Sequence, residues 1–404
     1  MFSLRLAFRN LLRQKKRTLF TGLSMFVGFV LACISIGWAE GSYNNMIDSF
    51  TRNRLGHIQV HAAGYTEHPT LYNTIDDPGR VLEKIASVPD VTAAAPRIYT
   101  AGLVSVGEKS AGARIIGIDR ERENRTTTFD TQIIAGSYFT AEAGQALLGK
   151  ELATTLNASP GDSIVIVSQA ADGSIANARY TIRGLLDTGN PVANRSSLYI
   201  TLKDAQQLFV LEGRVHEIVV VVSSLPAVNR AADGIRRALG NDKLTVETWE
   251  EFAKQFYRAM EADKGGMYIM LVVVILIVAI TVLNTILMAV LERQREYGVL
   301  RALGTRPAAI VKMVLNETFL LSIISVVLGS VVGFIVNYLL AAHGIRLAEP
   351  IEWGGIQLRV MKSEVNLQEF LLPGLTVIFT SLAVALFPAL KAARTEPAST
   401  MRTF

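Results

Sequence analysis

Cysteine is almost absent from this chain, whose 404 residues include a single one, Cys33. One thiol excludes an intramolecular disulfide framework and a cysteine-rich zinc site. Charged residues are also scarce, at 19% of the chain, whereas hydrophobic residues make up 50%. The mean hydropathy of +0.32 therefore indicates that part of the chain lies in lipid. The net charge of +5 is too small an excess to indicate a nucleic-acid partner.

Charged residues are missing altogether from four long apolar runs. A bilayer core about 30 Å thick takes about 20 helical residues, so the runs predict membrane spans at 18–39, 267–291, 318–342 and 370–390. The first run exceeds the roughly 7 to 15 apolar residues of a signal peptide, which disfavours the alternative of a cleaved leader. Ion-coupled transporters keep ionisable groups at depth, so that class is disfavoured too. Energy for any transport must then come from a source other than ion coupling within these spans.

Lysine and arginine are concentrated on one side of these spans. Six basic residues precede the first span, five lie between the second and third, and three follow the fourth. The positive-inside rule then predicts cytoplasmic termini, with residues 40–266 and the loop 343–369 outside and the tail 391–404 inside. Residues 1–17 place apolar side chains opposite arginine at helical spacing. They predict an amphipathic elbow helix on membrane lipid, with a plain basic tail as the alternative.

Residues 40–266 have the pattern of a mixed α and β domain. Strand, helix and strand follow one another around 57–98 and again around 215–247, which predicts two βαβ-like units flanking a β-rich insertion at about 100–212. The predicted fold class is therefore an α-helical membrane protein with four spans, one plus three, and a large α+β extracytoplasmic domain between the first two. The individual predictions are strands at 58–60, 113–118, 163–168, 179–185, 197–201 and 216–222, and helices at 79–87 and 227–239.

Apolar residues continue at helical spacing past the first span and ahead of the second. Such stripes predict two stiff helical stalks that pack together and carry movement between the membrane and the outer domain. Anchoring of the aromatic side chains at the membrane surface is the alternative. The predicted stalk residues are Tyr43, Ile47, Phe50, Trp249, Phe252, Phe256 and Met260.

Patterns of catalytic or metal-binding residues are weak. The segment 144–150 fits the phosphate-binding pattern G-x-x-x-x-G-K, but Glu151 follows where Ser or Thr must ligate Mg²⁺. His57 and His61 lie in a predicted strand, which would separate them by about 13 Å and disfavours a shared metal. We therefore expect no catalytic residue, metal or cofactor in this chain, and a membrane-bound enzyme is disfavoured.

Small residues recur in two of the spans at a spacing that lets helices pack closely. The second span adds polar side chains that can hydrogen-bond between helices. Both features suit a packed dimer of helix bundles as well as they suit a pore, and the dimer is the favoured interpretation. The residues are Ser24 and Gly28 in span one, Thr281, Asn284 and Thr285 in span two, and Ser325, Gly329 and Gly333 in span three.

A charged segment begins directly after the second span. Residues 292–304 read E-R-Q-R-E-Y-G-V-L-R-A-L-G and precede Arg306 and Pro307. Charged and apolar faces on a short helix are typical of an element that docks in a groove of a partner protein. A connecting loop is the alternative.

This segment resembles the R-x-x-E-I-G-V-L-R-A-x-G signature of FtsX-like ABC transporter permeases, the class that includes MacB and the lipoprotein-releasing permeases LolC and LolE. Residues 5–13 and 387–397 are similar to the two ends of that family. The letters L-G-K-E-L-A at 148–153, with P-G-D at 160–162, resemble a motif of its outer domain and explain the phosphate-binding pattern. G-H-I-Q-V at 56–60, and a start close to span one without a fused nucleotide-binding domain, resemble LolC and LolE more than MacB.

The resemblance implies an inner-membrane permease that assembles with a second permease copy or paralogue and with a separate cytoplasmic dimer of ABC ATPases. It implies mechanotransmission, with residues 292–306 as the coupling helix that the ATPase grips. A lipoprotein substrate and a periplasmic chaperone are further partners on this reading. The coupling residues it implies are Arg293, Arg295, Glu296, Tyr297, Gly298, Leu300, Arg301 and Gly304.

Three functions remain open under this resemblance. Release of lipoproteins or other lipidated substrates is favoured. Export of small molecules or peptides with an outer-membrane tunnel partner comes second. FtsX-like activation of an external cell-wall hydrolase comes third, because the outer domains of such regulators are generally smaller.

Overall fold

The computed structural model of the protein describes residues 15–127, 129–240, 243–353 and 356–394. Most of the predicted elbow helix 1–17 and the last part of the tail 391–404 lie outside the described residues. The chain divides into two compact units. The membrane unit contains the chain up to Tyr43, residues 260–347 and the chain from Val360 onward, and the α+β unit contains residues 44–259 and 348–359.

Four of the described helices are long and apolar enough to cross a membrane, with mean hydropathies between 2.2 and 3.0. In chain order the α-helices are α1 (Lys15–Phe50), α2 (Pro78–Ala86), α3 (Arg120–Thr127), α4 (Lys150–Leu156), α5 (Pro191–Ser196), α6 (Leu202–Leu208), α7 (Val228–Leu239), α8 (Trp249–Phe252), α9 (Lys254–Glu292), α10 (Gln294–Ala302), α11 (Pro307–His343) and α12 (Gln368–Ala393). The membrane-length helices are α1, α9, α11 and α12. A π-helical turn, Thr51–Leu55, follows α1 directly.

The described strands are, in chain order, β1 (Ile58–Ala62), β2 (Ile75–Asp76), β3 (Val91–Val106), β4 (Lys109–Ile118), β5 (Ile133–Gly136), β6 (Gln145–Gly149), β7 (Ser163–Gln169), β8 (Ile175–Leu186), β9 (Ser197–Thr201), β10 (Arg214–Val215), β11 (Glu217–Val222), β12 (Leu244–Thr248), β13 (Ile345–Trp353) and β14 (Ile356–Met361). Ten strands of the α+β unit form one large sheet with the order β12-β1-β11-β3-β4-β9-β6-β8-β5, in which β7 pairs with β3 and β8. β2 and β10 pair separately, and the two-stranded hairpin β13–β14 lies within the predicted loop 343–369.

The two predicted βαβ-like units are present as split units. β1 lies between β11 and β12, and β11 lies between β1 and β3, with antiparallel pairing throughout. The two strands of each unit are therefore separated by a strand of the other unit, as in ferredoxin-like folds. The predicted insertion supplies β4 to β9, which extend the sheet beyond β3. The six predicted strands and both predicted helices are confirmed, with ends shifted by a few residues.

Local sequence explains these elements. All six residues of β11, E-I-V-V-V-V, are buried, which suits a β-branched run in the middle of a sheet. Helix α2 begins with Pro78, and the Asp77 carboxylate accepts the backbone N–H of Arg80 at 3.3 Å. Gly56, at a φ of +72°, joins the π-helical turn to β1, and a Cβ there would collide with Val219.

Helices α1 and α11 pack closely in the membrane unit, through the small residues that the sequence singled out. The Ser325 hydroxyl donates to the Gly22 carbonyl at 3.0 Å, and a Cβ on Gly329 would lie 2.5 Å from the ring of Phe29. Further along α11, the Asn337 amide donates to the Cys33 carbonyl at 3.2 Å and accepts from the Ser363 hydroxyl at 3.1 Å. The small residues of span three therefore pack against span one of the same chain.

Candidate functional site

The predicted coupling segment forms a separate short helix, α10, between two membrane-length helices. Arg293 interrupts the helix between α9 and α10, with a φ of −98° and a ψ of 9°. At the other end Gly304 has a φ of +88°, and the N–H of Thr305 donates to the Leu300 carbonyl at 3.0 Å. Glycine adopts this conformation without strain, so the chain can turn directly into α11.

The predicted coupling residues divide between the two faces of α10. Arg293, Tyr297 and Gly298 are buried, and Tyr297 belongs to the apolar core of the membrane unit. Leu300 and Arg301 are partly buried, whereas Arg295, Glu296 and Gly304 are exposed. The described residues thus leave one face of α10 uncovered, and Arg293, Tyr297 and Gly298 do not belong to that face.

Two exposed apolar residues outside the predicted coupling set lie on that face. Leu303 is 78% exposed and Val299 is 45% exposed, beside Arg295 and Glu296. Their exposure was not evident from sequence, because valine and leucine at helical spacing are equally typical of a core-facing stripe. We call Arg295, Glu296, Val299, Leu303 and Gly304 the coupling face.

Arg293 has its own partner inside the chain. The residue is 4% exposed, and its guanidinium donates to the Glu317 carboxylate of α11 at 3.1 Å, with a Glu296 oxygen 3.8 Å away. Burial disfavours the charged form of Arg293, but the nearby Glu317 carboxylate outweighs it and keeps the pKa of the guanidinium above its ordinary value. The resemblance implied that Arg293 contacts the ATPase, whereas the partner that this structure gives its guanidinium is Glu317 of the same chain.

The two predicted stalk stripes contact each other in the α+β unit. The rings of Phe50 and Phe256 stack with centroids 4.1 Å apart, and Trp249 meets Phe256 edge-on at 6.3 Å. Ile47 and Trp249 are each 5% exposed, whereas Phe252 is partly buried. Aromatic pairs of this kind add about 0.5–1.5 kcal/mol beyond the burial of their area. The second stripe is not one continuous helix, because Ala253 separates α8 from α9.

The remaining stalk residues, Tyr43 and Met260, belong to the membrane unit and are buried there. The Tyr43 hydroxyl donates to the Asp263 carboxylate at 2.6 Å, and the Lys264 ammonium lies 5.3 Å from the centre of the Tyr43 ring. These contacts join α1 to the start of the apolar part of α9.

The segment that fits a phosphate-binding pattern packs in the interior of the α+β unit. Residues 145–149 form the buried strand β6, so they do not make a phosphate-binding loop. The Lys150 ammonium donates to the Asp187 carboxylate at 2.7 Å, and this hydrogen bond raises the pKa of Lys150. A Cβ on Gly149 would collide with the Asn194 backbone, which explains the glycine.

His61 in β1 and His57, the residue before β1, are both buried and have separate partners. His57 Nδ1 accepts the backbone N–H of Val222 at 3.1 Å, and His61 Nε2 lies 3.0 Å from a Glu217 oxygen. Burial opposes ionisation of Glu217, but the bond to His61 prevails and lowers the pKa of that carboxyl. In the part of the chain that the structure describes, no group of three His, Cys, Asp or Glu side chains is placed to hold a metal.

The family described as MacB-like periplasmic core domain matches residues 18–238, more than half of the chain, and the FtsX-like permease C-terminal family matches residues 268–397. The chain belongs to the FtsX-like, MacB-type ABC transporter permeases. Together the two matched regions include every strand of the large sheet except β12, most of each membrane-length helix, and α10.

The permease is similar to three relatives along almost its whole length. LolC of Neisseria meningitidis, a lipoprotein-releasing system transmembrane protein, is 23% identical over 97% of both chains. LolE of Haemophilus influenzae, of the same system name, is 23% identical over 95% of this chain and 93% of its own. The macrolide export ATP-binding/permease protein MacB of Campylobacter jejuni is 22% identical over 98% of this chain and 60% of its own.

Proposed function

We propose that this permease is the membrane subunit of an inner-membrane ABC transporter that releases lipoproteins or other lipidated substrates by mechanotransmission. The similarity to LolC over 97% of both chains supports the substrate class, because that relative is named for lipoprotein release. On the distribution of lysine and arginine, both termini and the coupling face lie in the cytoplasm and the large sheet lies outside. ATP hydrolysis then belongs to a separate ATPase subunit.

The coupling face carries the proposal. An exposed leucine and an exposed valine flanked by charged side chains on a short helix match the way amphipathic helices dock in grooves. The opposite face of α10 is held by the buried Tyr297, so the helix presents a fixed surface to the ATPase.

A second permease copy or paralogue is supported by Asn284. This residue lies in the middle of the apolar part of α9 and is exposed, in line with the exposed Ile277, Ile280 and Met288. Thr281 and Thr285 donate to carbonyls of α9 itself. An amide in hydrocarbon needs a hydrogen-bonding partner, and another permease supplies one if the α9 faces meet.

Export of small molecules or peptides is the second candidate function. It is favoured by the match to a macrolide export protein over 98% of this chain. That relative is named as both ATP-binding and permease protein, and this chain spans 60% of its length. A tunnel partner would then replace the lipoprotein acceptor.

The experiment is reconstitution of the permease with its ATPase in proteoliposomes that contain a purified triacylated lipoprotein. We expect ATP-dependent release of the lipoprotein, and no ATP hydrolysis by the permease alone. Leu303→Asp should abolish ATPase binding. The matched control Leu367→Asp changes another exposed leucine, which is 69% exposed, and should not affect binding. Retention of the lipoprotein together with export of a macrolide would favour the second function. Normal ATPase binding by Leu303→Asp would contradict the coupling face.

A further inference from the structure

The break between α9 and α10 is attached to a third helix through one side chain. Arg293 donates its own N–H to the Val290 carbonyl at 3.2 Å and accepts the N–H of Tyr297 at 3.0 Å, so its backbone belongs to both helices. Its guanidinium extends to Glu317 on α11 at 3.1 Å. One residue therefore connects the second span, the coupling helix and the third span.

This ion pair lies in a polar part of an otherwise apolar bundle. A cavity of about 40 Å³ beside it is lined by both partners and by Thr18, Thr285 and Thr318. Because a water molecule occupies about 10–15 Å³ by this measure, the cavity is large enough for a few. The threonine hydroxyl groups that line the cavity, together with its room for water, reduce the penalty of burying the two charges, so the pair can stay ionised.

An ion pair of this kind restricts the relative orientation of the two helices that it joins. The guanidinium of an arginine is planar and donates along fixed directions, so a carboxylate on α11 restricts how α10 can rotate about the break at Arg293. Tyr297, one turn further along α10, is 2% exposed and packs in the same core, which adds an apolar contact on the same face.

We propose that Arg293 is a positioning residue that fixes the coupling helix to α11 through Glu317, so that a push on the coupling face moves the third span together with the second. This inference rests on the proposed function, since it concerns how an ATPase stroke would reach the membrane helices. Arg293 then acts behind the contact surface and does not itself touch the ATPase.

The test compares Arg293→Gln, Arg293→Lys, Glu317→Gln and the double variant Arg293→Gln/Glu317→Gln in the reconstituted complex. Three quantities are measured: ATPase binding, the KM and rate of ATP hydrolysis, and triacylated lipoprotein released per ATP hydrolysed. We expect binding and KM to stay unchanged in Arg293→Gln, while release per ATP falls between about 2- and 30-fold. The double variant should be no worse than either single variant, because all three remove one shared interaction. Arg293→Lys, which keeps the charge without the fork, should be intermediate.

Several results would overturn the proposal. Loss of ATPase binding by Arg293→Gln as severe as that of Leu303→Asp would make Arg293 a contact residue. Additive losses from Arg293→Gln and Glu317→Gln would mean that the two side chains act separately. Unchanged release per ATP in both single variants would mean that the pair plays no part in transmission.

A readout without the ATPase separates this inference from the proposed function. Spin labels on cysteines at Arg295 and Lys312, both exposed, report the distance between α10 and α11 in a Cys33→Ala background. We expect the distance distribution to broaden in Arg293→Gln and Glu317→Gln, and to stay narrow in the control Ser330→Ala, whose hydroxyl donates within α11 to the Val326 carbonyl at 2.8 Å. Equal widths in all variants would refute positioning even if release works. Failure of release in the wild-type complex with the widths as expected would refute the proposed function alone.

Discussion

Asn337 offers a direct test of how the membrane unit is held together. This fully buried amide on α11 donates to the Cys33 carbonyl on α1 at 3.2 Å and accepts from Ser363, ahead of α12, at 3.1 Å. It therefore connects three parts of the bundle. A Cβ on Gly37 would lie 2.5 Å from its amide nitrogen, so the site has no spare room in which another side chain could replace these bonds.

The size of the effect of Asn337→Ala follows from the two hydrogen bonds. Between membrane helices such a bond contributes about 0.6 kcal/mol on average and up to about 1.7 kcal/mol, so losing both costs about 1.2–3.4 kcal/mol. Every 1.4 kcal/mol changes an equilibrium about tenfold, so local opening should become roughly 7- to 300-fold more frequent. Ser363→Ala removes one of these two bonds to Asn337 and should make local opening roughly 3- to 16-fold more frequent.

Cys33 serves as the reporter, because it is the single cysteine and is 0% exposed. In detergent its reaction with a fluorescent maleimide proceeds through local opening, so the labelling rate follows the opening equilibrium when closing is fast. The matched control is Ser330→Ala on the same helix, whose hydroxyl donates within α11 to the Val326 carbonyl at 2.8 Å. Equal labelling rates in Asn337→Ala and Ser330→Ala would refute the reasoning.

Three further predictions concern other parts of the chain. Cysteine at Ser110 should react with an impermeant thiol reagent in intact spheroplasts and cysteine at Thr305 should not; the opposite result would reverse the proposed topology. Phe256→Asp would bury a charge in the stalk, so ATP hydrolysis should persist while lipoprotein release is lost; normal release would leave the aromatic residues as surface anchors. Glu123→Gln breaks the buried pair with Arg97, whose Nε donates at 3.0 Å, and should cost about 3–5 kcal/mol. In a domain of this size that lowers the Tm by about 6–20 °C, and a circular-dichroism melt with an unchanged Tm would contradict it.

Much of the local structure could be predicted from sequence, because it depends on neighbours along the chain. The β-branched run of β11 and the helical stripe of α7 each carry their own period. The sheet order could not be predicted, since Ile58 of β1 pairs with Val220 and with Thr248, far along the chain. Nothing in the local pattern of β1 specifies those partners.

In the coupling segment, likewise, the helix could be predicted from sequence, whereas the burial of its individual side chains could not. Its helix and its end at Gly304 were predictable from composition and from a glycine. Which side faces inward was not, because Arg293 is buried only by virtue of Glu317, 24 residues later in the chain. A charged residue on a short amphipathic helix normally indicates solvent, and a specific ion pair overrides that rule here.

The pairing of Ile58 with Thr248 has a consequence for how such a permease can change over time. It means that the chain starts and finishes its passage through the large sheet on neighbouring strands, about 4.8 Å apart. A domain whose ends are adjacent can be lengthened, trimmed or exchanged without altering the spacing of the helices that carry it. Any replacement domain must keep the pairing of β1 with β12. In a permease of this design, a different domain can therefore be inserted between the same two membrane-length helices.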